Sequence, residues 1–226
     1  IDAYRDLLNQ ATPTDKPSIQ LALADAMLRG GQRKDARHLL DSLPLTTPEV
    51  AAQKLFTIGE IQRASDDDDG FLRTVNDLRQ TAPSSPYLEQ ALFAAGNIYL
   101  LRRDYDKAID SFREVEQRFP GSARAHYVHW KVAWLSLRQG RTSDAKPGFE
   151  EQITLYPDSN EVPNALYWRG RLAEEEGDKA MAAAFYQKIN ERYHNYYYGP
   201  LARERMAKLD FDAREDPHYA ILDHVP

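Results

Sequence analysis

Leu21, Phe56, Phe93, Trp130 and Tyr167 occupy one recurring position of this chain, and the rings among them are its best candidates for ligand chemistry. Large rigid rings at regular spacing can stack on a ligand or anchor it at low entropic cost. One helical turn further on stand Asn97, Trp134 and Arg171, which add hydrogen-bonding groups, a further ring and a charge. Phe56, Phe93, Asn97, Trp130, Trp134, Tyr167 and Arg171 therefore form the candidate binding set. The same spacing suits rings that fill the seam between neighbouring helices, so ligand surface and core packing both stay open.

Other clusters carry less. Asp66-Asp67-Asp68-Asp69-Gly70 suggests a calcium loop, but an EF-hand turning at Gly70 would begin at Ser65 and need a bidentate Glu where Asn76 stands. The run fits better as a turn and the acidic start of a helix. His126 and His129 lie three apart on one helix with no third metal ligand in reach. Glu174-Glu175-Glu176 sits on a single helix end, whereas glycosidase chemistry needs two carboxyls facing each other across a cleft. Walker, GxSxG and HExxH motifs are missing. No catalytic residue, metal or cofactor is expected.

What positions the rings is a repeat of 37 residues. Laid in register, the chain reads Leu55–Gly59–Phe71–Pro83, then Leu92–Gly96–Ala108–Phe112–Pro120, Ala133–Ala145–Phe149–Pro157 and Leu166–Gly170–Ala182–Tyr186. A copy upstream places Ala24, Ala36, Leu40 and Pro48 in equivalent positions. Such a period, with a small residue in one helix and Ala plus a ring in the next, resembles the tetratricopeptide repeat. Two antiparallel helices cannot bury their apolar faces alone, so each pair needs its neighbours. The expected fold is all-α, a right-handed α-solenoid of tetratricopeptide-like helix pairs. One continuous array is expected over 1–209, with 210–226 as an extended tail or a linker to an absent domain.

Within the best copy, helix A is expected over about Leu88 to Arg102 and helix B over about Tyr105 to Phe119. Ser122 is placed to cap the next helix. Gly59, Gly96 and Gly170, with Ala133 in the third copy, fall where the two helices of a pair meet, and a larger side chain there would overpack the contact. Pro147 predicts a helix that starts late, near Lys146, or kinks. A last helix is expected over about Leu201 to Leu209.

Composition bounds the partners. The chain has 226 residues, 42% of them hydrophobic, and no apolar run approaches the roughly 18 residues of a membrane span. A net charge of −6 with interleaved signs argues against nucleic acid, which wants a basic stripe. Without cysteine, disulfides and thiolate metal sites are excluded and the redox compartment stays open. The start at Ile1 suggests a processed or trimmed piece of something longer.

The C-terminal part carries a narrower likeness. Tyr167-Trp168-Arg169-Gly170-Arg171-Leu172-Ala173, then Tyr186, Ile189, Arg192 and Tyr193, and then Tyr197-Tyr198-Gly199, Leu201, Ala202 and Arg205 resemble the end of the helical superhelix of soluble lytic transglycosylases. That resemblance implies a periplasmic, non-catalytic scaffold that positions a following catalytic domain on peptidoglycan glycan strands. The family's catalytic Glu-Ser pair has no counterpart here, so no catalytic residue carries over. The alternative rests on Arg118-Phe119-Pro120-Gly121-Ser122, which is similar to repeats of periplasmic adaptors in outer-membrane assembly or cell division. Those adaptors imply a protein or peptide partner.

Overall fold

A computed structural model describes residues 1–44, 47–209 and 218–226, and among them every regular element is helical. The chain divides into two compact units, Ile1–Phe119 and Pro120–Pro226.

In the N-terminal unit, α1 (Asp2–Gln10) precedes three helix pairs: α2 (Lys16–Arg29) with α3 (Arg33–Asp41), α4 (Pro48–Arg63) with α5 (Asp68–Thr81), and α6 (Pro86–Leu101) with α7 (Tyr105–Arg118). The C-terminal unit holds α8 (Ala125–Arg138) with α9 (Thr142–Leu155), α10 (Val162–Glu175) with α11 (Lys179–Arg192), then α12 (Tyr198–Lys208) and a 3-10 helix, Ala220–His224. The all-α, tetratricopeptide-like architecture is as the 37-residue register predicts.

Most of the helical apolar positions named by that register lie in the core. Leu40, Leu92, Phe112, Phe149, Leu166, Tyr186 and Ile189 are fully buried, and each large side chain removed from water contributes about 1.5–3 kcal/mol. The two helices of a pair approach closely where a small residue allows it. A methyl group at Gly96 would stand 2.8 Å from Cδ1 and Cζ of Phe112, and one at Gly170 2.8 Å from Cε1 of Tyr186. In the α8–α9 pair the roles are reversed: the first helix keeps Ala133, and Gly148 of the second makes the room, since a Cβ there would lie 2.8 Å from that of Ala133.

Every turn from the first to the second helix of a pair is built alike. Gly31, Asp66, Arg103, Gly140 and Gly177 all have φ between 60° and 81°. The next residue's N–H then reaches back to close the preceding helix: Gln32 to Met27, Asp67 to Gln62, Asp104 to Tyr99, Arg141 to Ser136 and Asp178 to Ala173, all at 2.8–2.9 Å. This is the left-handed closing turn that satisfies orphan helix carbonyls. In three of the five turns the same residue also caps the helix that follows. The carboxylates of Asp67, Asp104 and Asp178 accept the N–H of Gly70, Lys107 and Met181. The acidic run thus starts α5, with Asp68 and Asp69 paired to Arg102.

Three expectations change. Helix α9 begins at Thr142 and runs through Pro147 instead of starting near Lys146. The proline removes one N–H from the second turn, and the carbonyl it would have met belongs to the exposed Ser143, which water can satisfy. Helix α12 begins at Tyr198, not Leu201, with Pro200 in its first turn, where a missing N–H costs nothing. Ser122 accepts the Arg124 N–H at 3.0 Å, in the turn just before α8. Of the expected tail, 210–217 lies outside the described residues. Beyond it the 3-10 helix folds back, and Leu222 and Val225 join the core of the C-terminal unit.

Candidate functional site

In the C-terminal unit the rings of the candidate set form one connected run. Trp130 and Trp134, one turn apart on α8, stack with centroids 5.9 Å apart. Trp130 also meets Phe149 of α9 at 5.6 Å, and Trp134 meets Trp168 of α10 at 4.8 Å. The indole N–H of Trp168 donates to the hydroxyl of Tyr198 on α12, 3.1 Å away. Tyr198 lies stacked on Tyr167 at 4.6 Å and edge-on to Tyr197 at 5.0 Å.

Burial divides this run. Trp130 and Tyr167 are only 7% and 6% exposed, so they pack the seam between helices. Trp134, Trp168 and Tyr198 are half-buried, and Tyr197 is 78% exposed. The surface rings therefore belong to Trp134, Trp168, Tyr197 and Tyr198, supported from beneath by Trp130 and Tyr167. The Arg138 guanidinium sits 5.9 Å from the Trp134 centroid, a cation–π contact at the margin of the face.

Beside the rings lies a charged network. Arg171 and Arg205 share Glu174, at 3.6 and 3.3 Å, and the Tyr186 hydroxyl donates to the same carboxylate at 2.9 Å. Burial, reinforced by the hydrogen bond to Glu174, pushes the Tyr186 phenol far above its usual value. Burial likewise raises Tyr198. Arg171 is thus held in place by Glu174 and by Glu175 at 3.4 Å. Rings, fixed hydroxyls and oriented arginines are groups of the kind that make contacts with a partner.

The N-terminal members of the set are arranged differently. Phe56 of α4 faces Tyr87 of α6 at 5.3 Å, and Phe93 packs against the buried Phe112 at 6.1 Å. Asn97 is half-buried on α6, one turn beyond Phe93. The histidines go to separate partners. His126 Nδ1 lies 2.8 Å from Glu161, and His129 Nε2 lies 3.1 Å from the Gly148 carbonyl. Among the described residues no group of three or more His, Cys, Asp or Glu could hold a metal ion, and no helix is long and apolar enough to cross a membrane.

Reading one register position missed Trp168, Tyr197 and Tyr198. Trp168 follows Tyr167 directly and so projects about 100° around the helix from it, onto the edge that faces Trp134. Widening the stripe by one residue on each helix would have found it.

Comparison with solved structures supports the fold. The chain is similar to PilF of Pseudomonas aeruginosa, at 16% identity with a TM-score of 0.55, over 92% of this chain and 86% of that one. It is also similar to BtubC from P. vanneervenii, at 14% identity with a TM-score of 0.58, over 96% and 92%. Among curated proteins it is 23% identical to the outer membrane protein assembly factor BamD of Pasteurella multocida (strain Pm70), over 61% of this chain and 64% of that protein. The match thus spans less than two thirds of that relative's length.

A family model described as YfiO, outer membrane lipoprotein, matches residues 86–210. This overturns the assignment to a lytic transglycosylase scaffold that positions catalysis on peptidoglycan strands. The match includes the very residues that carried the transglycosylase likeness. Two of those residues answer to packing: Gly170 makes room for the Tyr186 ring, and a Cβ on Gly199 would run into the His194 carbonyl, 2.8 Å from its carbon. Matched by that model over more than half its length, the chain belongs to the YfiO family of outer membrane lipoproteins.

Proposed function

We propose that this chain is a protein-binding helical-repeat scaffold of outer-membrane protein assembly, working at the periplasmic face of the outer membrane. The observation that carries the reading is the family match over 86–210. The likeness to an outer membrane protein assembly factor supports it. The matched stretch contains the whole ring run from Trp130 to Tyr198. In this reading Trp134, Trp168 and Tyr198 present the docking face with the exposed Tyr197 at its edge, because half-buried rings fixed by neighbours contribute contact area without a large loss of side-chain freedom. Trp130 and Tyr167 hold that face rigid, and Arg171 supplies an oriented charge beside it.

The test uses the full-length protein in its native host. A photo-crosslinking residue in place of Tyr197 should give adducts with outer-membrane assembly components, and depletion of the protein should lower the level of folded outer-membrane β-barrel proteins. Unchanged barrel levels on depletion, with a defect in septation or in the cell wall instead, would overturn the assembly reading.

A further inference from the structure

The N-terminal unit contains a cavity that the proposed function does not use. It lies among α2, α4 and α6, the first helices of the three pairs, and has a volume of about 170 Å³, room for one side chain and not for a helix. Leu28 and the facing rings of Phe56 and Tyr87 supply its apolar wall. Asp25 of α2 and Glu60 of α4 place two carboxylates on it from different helices.

Each carboxylate has a partner on its own helix, Asp25 with Arg29 and Glu60 with Arg63. These are solvent-screened pairs of the kind that contributes little. Arg29 is 77% exposed on its side chain, and the Arg63 guanidinium lies 5.5 Å from the ring of Phe71 on α5. Both carboxylates can therefore exchange these contacts for a cation brought in from outside. An apolar wall with two rings below a pair of carboxylates suits a side chain with an aliphatic stem and a cationic head. The stem covers apolar surface, and the head lies against ring faces and negative charge. An anion would be repelled, and a purely apolar side chain would leave the carboxylates to be desolvated without return.

We propose that this cavity receives a lysine or arginine side chain from an extended segment of a partner protein. The occupant is a protein segment because a second cavity, lined by Pro48, Glu49, Thr81 and Pro86, reaches α6 at the residue before Tyr87. It offers space for the residues flanking the basic one. This site is independent of the ring face of the C-terminal unit and does not rest on the assembly reading.

The experiment probes the whole chain with peptide pools that share randomised flanks and carry lysine, arginine, acetyl-lysine or norleucine at a fixed central position. The lysine and arginine pools should be retained about tenfold more than the other two. The Asp25→Asn/Glu60→Gln variant should lose that preference while keeping the wild-type helical signal and melting temperature. Equal retention of all four pools, or a preference that survives the double variant, overturns the proposal. A free polyamine that competes as well as the best lysine peptide overturns the assignment to a protein segment. None of these results bears on crosslinking at Tyr197, so the two readings can fail separately.

Discussion

The two units solve the same packing problem with different residues. In the N-terminal unit, the first helices of two pairs give up a side chain, at Gly59 and Gly96, and phenylalanines of the second helices fill the space. In the C-terminal unit the α8–α9 pair keeps Ala133 and moves the glycine across the seam to position 148. The turns differ too. Two of the three left-handed turns of the N-terminal unit carry a side chain, at Asp66 and Arg103, with Gly31 in the third, whereas both turns of the C-terminal unit use glycine, at Gly140 and Gly177. The rings differ most. They form separate pairs in the first unit and a run from Phe149 to Tyr197 in the second. What is preserved between the units is a small residue at the seam of a pair and the hand of the turn, not the position or residue that supplies either.

That contrast can be broken most forcefully at Trp130. Because it packs on rings from both sides while almost wholly buried, Trp130→Ala should cost about 3–5 kcal/mol, seen as a lowered urea midpoint. Half-buried Trp134→Ala should cost clearly less while weakening partner crosslinking. A Trp134→Ala loss as large as that of Trp130→Ala would assign the entire run to the core.

Next comes Gly96→Ala, whose methyl meets the fully buried Phe112 ring. Overpacking of this kind costs roughly 1–3 kcal/mol, and the better helix propensity of alanine returns up to about 1. A thermal melt should show net destabilisation that Phe112→Leu partly relieves. In the α8–α9 pair, Gly148→Ala should destabilise alone and recover when combined with Ala133→Gly, because only one of the two positions can carry a methyl group.

At the turns the expected effect is smaller and of opposite sign in the two units. Arg103→Gly should stabilise by about 1 kcal/mol by removing the left-handed penalty of a side chain, while Gly140→Arg should destabilise by a similar amount. Equal and negligible shifts would show that these turns carry no backbone strain.

The smallest effect is alkaline. Burial raises Tyr186, Tyr193, Tyr198 and Tyr219, all of them in the C-terminal unit. A phenol whose pKa is raised on folding holds its proton more tightly in the native state. Its contribution to stability is full below the unfolded value of about 10 and is lost as pH rises past it. Melting temperatures should therefore be flat in this respect up to about pH 10 and fall above it, with a shallower fall in Tyr186→Phe.

Much of the fold was legible because the 37-residue register is a packing constraint. Leu92, Phe112, Phe149 and Tyr186 could each be placed in the core by position alone, and α6 and α7 lie within two residues of their expected bounds. The late start expected for α9 overrated Pro147, whose lost hydrogen bond falls where water can replace it. The family was misread from residues such as Gly170 and Gly199, which answer to steric demands of the helix array itself and say nothing of what it binds. The ring face was half legible. A single register position marks what lies at the seam; Trp168 reaches the surface from the position beside it, and Tyr198 comes from α12, away from that position.

The reversed seam of α8 and α9 has a consequence for how such arrays diversify. Ala133 and Gly148 work only together, so a recombination breakpoint between the two helices would join an alanine-bearing helix to a partner lacking the glycine. A breakpoint in the loops between pairs would leave every such match whole. The heritable module of this chain is therefore the complete helix pair, and duplication or exchange should be tolerated when its edges fall near Pro83, Pro120 or Pro157 and rejected at Gly140.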